Sequence, residues 1–202
     1  MSDLVRVAFL YLVSSPVLIG SFERMAFILQ YAASAAPASW LDQRYVDHLQ
    51  LTALHLLPGI VFFLIAPLQF SSTLRSRARR LHRALGRLFI LTGVASGLAV
   101  LWMVLVFPAV GGLLTQVVTF VLVGAMLALL GFAWRSARMR AFARHRAAMM
   151  RAYAIGLSVS TARIFIELSA WGFGLGFVDT FVIASALGVA LNIAVVEWVL
   201  AH

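Results

Sequence analysis

The chain has 202 residues, of which 63% are hydrophobic and 11% charged, with a mean hydropathy of +0.99. A soluble domain usually carries about 25% charged residues, and a single soluble core cannot bury this much apolar surface, so lipid has to cover part of it. The formal charge of +9 comes from sixteen arginines and no lysine, and there is no cysteine, which excludes disulfides, thiol catalysis and thiolate-held metals or clusters.

The first apolar run covers residues 4–32 and is interrupted by Glu23 and Arg24. Asp3 in its flank and the lack of a small-residue cleavage pattern make it an uncleaved first span. Ser34 to Asp47, with Pro37, Trp40, Asp42 and Arg44, is expected to form an external loop with an interfacial aromatic. A second span over 48–70 holds Pro58 and Pro67, tolerable in a membrane helix when neighbours satisfy the freed carbonyls. Spans over 85–107 and 113–134 follow, joined by a tight turn from Pro108 to Gly112. The last two, over 147–171 and 180–200, are joined by the glycine-rich stretch Gly172 to Gly176 with Asp179. Gly93 and Gly97 have the spacing that lets helices approach closely.

Twelve of the arginines lie in two clusters, Arg75 to Arg87 and Arg135 to Arg151, and no acidic residue occurs between Asp47 and Glu167. Basic clusters between apolar runs mark cytoplasmic loops. The expectation is therefore an all-α, polytopic membrane helix bundle of about six spans, one transmembrane domain over 1–202, in a bacterial inner membrane with both termini cytoplasmic. The clusters suit anionic lipid rather than nucleic acid. The two also echo each other: Arg75, Ser76, His82, Arg83 and Arg87 against Arg135, Ser136, His145, Arg146 and Arg151. Such an echo suits either a duplicated helix hairpin or two loops alike in composition.

The blocks His55-Leu-Leu-Pro-Gly59, Ala66-Pro-Leu-Gln-Phe70, Leu81-His-Arg-Ala-Leu-Gly-Arg87 and His145-Arg-Ala-Ala-Met-Met-Arg-Ala-Tyr153, followed by Arg163, resemble a bacterial membrane family. That family is known as domain-of-unknown-function family 2306. Where the family often has Trp, this chain has Ala84 or Ala148. The resemblance implies a multi-span membrane protein and marks these positions; it implies no activity.

Two constellations could carry chemistry. His82 and His145, each followed by an arginine, stand at the cytoplasmic starts of two spans that run in the same direction. Facing imidazoles at one depth are what a bis-histidine haem b requires, and Arg83 and Arg146 could pair with its propionates. The plainer reading is a helix cap, a lipid-phosphate contact or a loop brace. His48 and His55, seven residues apart, share one face of the second span towards its external side, and His202 is terminal. The second constellation is intramembrane. Arg163, one turn before Glu167, sits inside the fifth span, where an arginine costs at least about 2.5 kcal/mol. An ion pair between them, joined by Gln69, His55, Asn192 or Glu197, would lock the bundle, relay protons or bind a head group.

The chain shows no phosphate-binding glycine loop, no zinc-protease motif and no nucleophile elbow, which disfavours a hydrolase or an ATP-driven pump. The sequence leaves a small transporter or a scaffold or accessory subunit of a membrane complex, with a homo-oligomer or another membrane protein as partner. The alternative is a haem b electron-transfer protein with His82 and His145 as axial ligands.

Overall fold

A computed structural model describes all residues except 1, 35–39 and 108–109. Pro37 of the expected outer loop and Pro108 of the expected turn lie outside the described residues. Those described form eight helices and no strand: α1 (Asp3–Ser34), α2 (Trp40–Asp47), α3 (Leu49–Gln69), α4 (Ser72–Arg77), α5 (Arg79–Val106), α6 (Gly112–Arg138), α7 (Phe142–Phe173) and α8 (Phe177–Ala201). Five of them, α1, α3, α5, α6 and α8, are long and apolar enough to cross a membrane. α7, at 32 residues, exceeds the roughly 20 that a bilayer requires, but it carries Arg163 and Glu167 among its apolar residues. The segment expected as an outer loop is partly helical, because α2 occupies its second half.

The chain divides into two compact units. The first comprises 1–8 and 18–107, and the second 9–17 and 108–202.

In the first unit α3 and α5 pack as an antiparallel hairpin around Phe62 and Phe89, whose rings stack at 4.2 Å. Phe89 is 1% exposed. Pro58 removes one N–H from α3 and crowds the carbonyls a turn before it. The Ser96 hydroxyl of α5 answers there, donating to the His55 carbonyl oxygen at 2.9 Å. Both Gly93 and Gly97 of α5 are buried. At the other end of the hairpin, the Asp3 carboxylate holds the first turn of α4. It accepts from the Ser71 hydroxyl at 2.6 Å, the Ser72 N–H at 2.8 Å, the Ser72 hydroxyl at 2.9 Å and the Thr73 N–H at 3.1 Å. These are charge-assisted bonds, and with Ser71 capping Leu74 N–H they satisfy donors that a helix start leaves orphaned. α2 is tied to α1 by the Arg24–Asp42 ion pair, with the guanidinium 5.0 Å from the Tyr45 ring centroid.

The second unit packs α6 and α8 on α7, with Met126, Leu130, Ala133, Met149 and Ala152 among its buried residues. α6 ends in a Schellman motif. The Ala141 N–H reaches the Ser136 carbonyl at 2.9 Å and the Arg140 N–H reaches Ala137 at 3.1 Å, with Arg140 left-handed at φ 58. α7 and α8 touch backbone to backbone at Gly188. A Cβ there would lie 2.8 Å from the Ser158 carbonyl oxygen and 3.2 Å from the Ala162 nitrogen. This is the close approach that small residues permit between membrane helices.

Residues 9–17 of α1 join this second unit through α7. Pro16 lacks an N–H, so the Leu12 carbonyl loses its helical donor; the Ser15 hydroxyl supplies one at 2.8 Å. Ser160 of α7 then enters the α1 ladder itself. Its hydroxyl donates to the Val13 carbonyl at 2.7 Å and accepts from the Val17 N–H at 3.3 Å. One turn of α1 is thereby bridged through a side chain of another helix.

Candidate functional site

Within the first unit, the His55 ring Nδ1 is 3.1 Å from the Ser96 carbonyl oxygen and 3.1 Å from its hydroxyl. A carbonyl only accepts, so Nδ1 carries the proton. Gln69 lies over Gly86 of α5; a Cβ at 86 would come 3.1 Å from its Oε1. The Gln69 Nε2 is buried with no hydrogen-bond partner among the described residues.

His82 and Arg83 belong to the first unit, His145 and Arg146 to the second. Their local settings match. Each histidine is the fourth residue of its helix, after an alanine N-cap, Ala78 or Ala141, that departs from helical geometry. Each histidine amide closes the first helical turn onto that alanine's carbonyl at 3.0 Å. His145 is also half-buried and its Nδ1 donates to the Ala133 carbonyl oxygen of α6 at 2.9 Å. That bond braces the start of α7 against the end of α6. The echo in the sequence thus corresponds to a histidine at the same position of a helix start in both places.

Arg163 and Glu167 lie on one exposed stripe of α7. The stripe runs Val159, Arg163, Glu167, Trp171 at intervals of four, with Val159 50% and Trp171 89% exposed. Residues four apart share a helix face. The depth of the stripe follows from its neighbour: Gly188, at the middle of α8, meets α7 at Ser158 and Ala162. Arg163 is thus level with the middle of α8, which is apolar enough to span a bilayer.

Within the second unit, the two polar groups expected to join Arg163 have other partners. Glu197 of α8 takes the Arg151 guanidinium in a two-pronged pair, at 2.6 Å and 2.7 Å. Asn192 accepts from the Thr161 hydroxyl at 3.1 Å and donates to the Ala154 carbonyl at 3.3 Å. A further group escaped the sequence reading. Tyr153 is 4% exposed, and its phenol lies 2.7 Å from the Ser14 hydroxyl. Ser14 spends its own proton on the Leu10 carbonyl at 2.8 Å, so Tyr153 is the donor in that contact. With Ser160, these residues sew the 9–17 segment of α1 to α7. Ser-Ser-Pro was the available signal, since hydroxyls beside a proline within a span point to a repaired ladder.

Apolar helices long enough to span a membrane, antiparallel hairpins and polar groups satisfied between helices define a multi-pass, all-α membrane protein. The family profile of predicted membrane protein DUF2306 matches residues 52–200, well over half of the chain. The protein belongs to that family. The chain matches no curated protein and no solved structure.

Proposed function

We propose that the protein is a scaffold or accessory subunit of a membrane complex in a bacterial inner membrane, and that it presents the Arg163–Glu167 stripe of α7 to a protein partner. The exposure of that stripe at apolar depth carries the reading. Facing lipid, an arginine at the centre of a span costs about 2.5–3.5 kcal/mol; facing a partner, both charges gain a polar surface. Of the neighbouring polar side chains of α7, Ser158 and Ser160 are buried and bonded and Thr161 is bonded to Asn192, whereas Arg163 and Glu167 are exposed.

Native electrophoresis of mildly solubilised membranes tests this. The wild type should migrate within a larger species. R163L/E167L, which removes both charges and keeps an apolar helix, should fold and migrate alone. A double variant that keeps the larger species would contradict the reading, as would a wild type that is a lone monomer.

Haem b ligation by His82 and His145 is the second reading. Its support is confined to His145, where donation from Nδ1 to a backbone carbonyl leaves the Nε2 lone pair for a metal. A reduced-minus-oxidised visible spectrum decides it: a Soret band lost on changing either histidine favours it, and a flat spectrum from folded, haem-fed protein removes it.

A further inference from the structure

The short helix α4 separates two adjoining grooves of opposite character, both within the first unit. One, of about 510 Å³, is lined by Ser72, Thr73, Arg75, Ser76, Arg77 and Arg79, so that every lining residue is polar. The other, of about 490 Å³, shares Thr73 and is otherwise mainly aliphatic, with Val7, Leu68, Leu74, Leu81 and Leu85. From this pairing we infer that α4 forms a seat for one anionic phospholipid, its headgroup phosphate among Arg75, Arg77 and Arg79 and its acyl chain along the leucine groove.

The sequence builds the seat in steps. Ala78 breaks the helix between α4 and α5 with φ −130 and ψ 55. The break lets arginines from the end of one helix and the start of the next line the same concavity. A guanidinium fork matches phosphate oxygens in pairs. Among the described residues no carboxylate pairs with Arg75, Arg77 or Arg79. The nearest acid, Asp3, has both oxygens committed to Ser71, Ser72 and Thr73. Asp3 therefore fixes α4 in place while the three cations keep their charge for a ligand. A free anion would use the first groove alone; the aliphatic groove beside it fits a molecule with a tail. The positive-inside rule puts this end of the hairpin at the cytoplasmic leaflet, where anionic lipids carry the surface charge.

The test is a titration of the full chain in zwitterionic detergent with short-chain phosphatidylglycerol, followed by microscale thermophoresis. Saturable binding is expected, weakened about tenfold or more in R75Q/R77Q/R79Q, since each arginine near a charged lipid surface is worth about fivefold. The charge-matched R138Q/R144Q/R146Q, in the other cluster, should bind as the wild type does. Inorganic phosphate and short-chain phosphatidylcholine should compete poorly. Equal loss in both triple variants would mean diffuse attraction and overturn the seat. Saturation by inorganic phosphate at the same or tighter affinity would mean a free-anion site and overturn the lipid. If the first triple variant fails to fold, R77Q alone is titrated; wild-type binding by it overturns the inference.

Discussion

Gly188→Ala should separate α7 from α8. The new Cβ would stand 2.8 Å from the Ser158 carbonyl oxygen and 3.2 Å from the Ala162 nitrogen. Both contacts are backbone atoms, so no side chain can swing aside. The helices must part by several tenths of an ångström along a seam that also holds Ala162, Ile166 and Ala184. Overpacking of this kind costs about 1–3 kcal/mol. Gly131→Ala in α6 provides the opposite case, because a Cβ there meets nothing within 4 Å. Replacing glycine by alanine in an open helix interior gains about 0.5–1 kcal/mol. Unfolding in mixed micelles with rising sodium dodecyl sulfate, followed by tryptophan fluorescence, should move the midpoint down for Gly188→Ala and up for Gly131→Ala. Wild-type stability in Gly188→Ala would refute the contact on which the depth of Arg163 rests.

Ser160→Ala removes the bridge across the α1 ladder and should cost about 1–2 kcal/mol in the same titration, given that hydrogen bonds between membrane helices average about 0.6 and reach about 1.7 kcal/mol; no change would show that α1 closes its own turn. His55→Ala and Ser96→Ala should be non-additive, with a coupling of about 0.5 kcal/mol or more, and strict additivity would deny their contact. Asp3→Asn should raise amide hydrogen exchange at Ser72 and Thr73 without altering the rest of the α3–α5 hairpin; unchanged protection would mean that α4 needs no clamp.

The helical membrane class was legible because apolar runs of span length, separated by arginine-rich segments, have few physical outcomes. The placement of His82 and His145 at helix starts was legible too, since the polar-to-apolar change of the sequence falls beside them. Other features were hidden for reasons of distance and type. Ser160 looks like any small residue of a span, and its role depends on Pro16, far away in the chain. Arg24 finds Asp42 only because α2 is a helix where polar composition suggested a loop. Gly188 has no nearby glycine partner to announce its crossing, whereas Gly93 and Gly97 do. Asp3 stands near the N-terminus, and the hydroxyls it holds lie some seventy residues on. For the polar residues, the alphabet told which were costly in lipid, and the packing told which of them were spent internally. Glu197 and Asn192 are spent, on Arg151 and on α7; Arg163 and Glu167 lie on an exposed stripe of α7.

The most direct test of that outward role uses the absence of cysteine from the chain. A single Val159→Cys, on the stripe one turn before Arg163, is spin-labelled in native membranes, and its collision rate with oxygen is compared with that of a label at Leu187, an exposed position of α8. The account predicts an immobilised label at 159, shielded from oxygen, with mobility and oxygen access restored when R163L/E167L is added. A mobile label at 159, as accessible to oxygen as the one at 187, would place the stripe in lipid and contradict the proposed role.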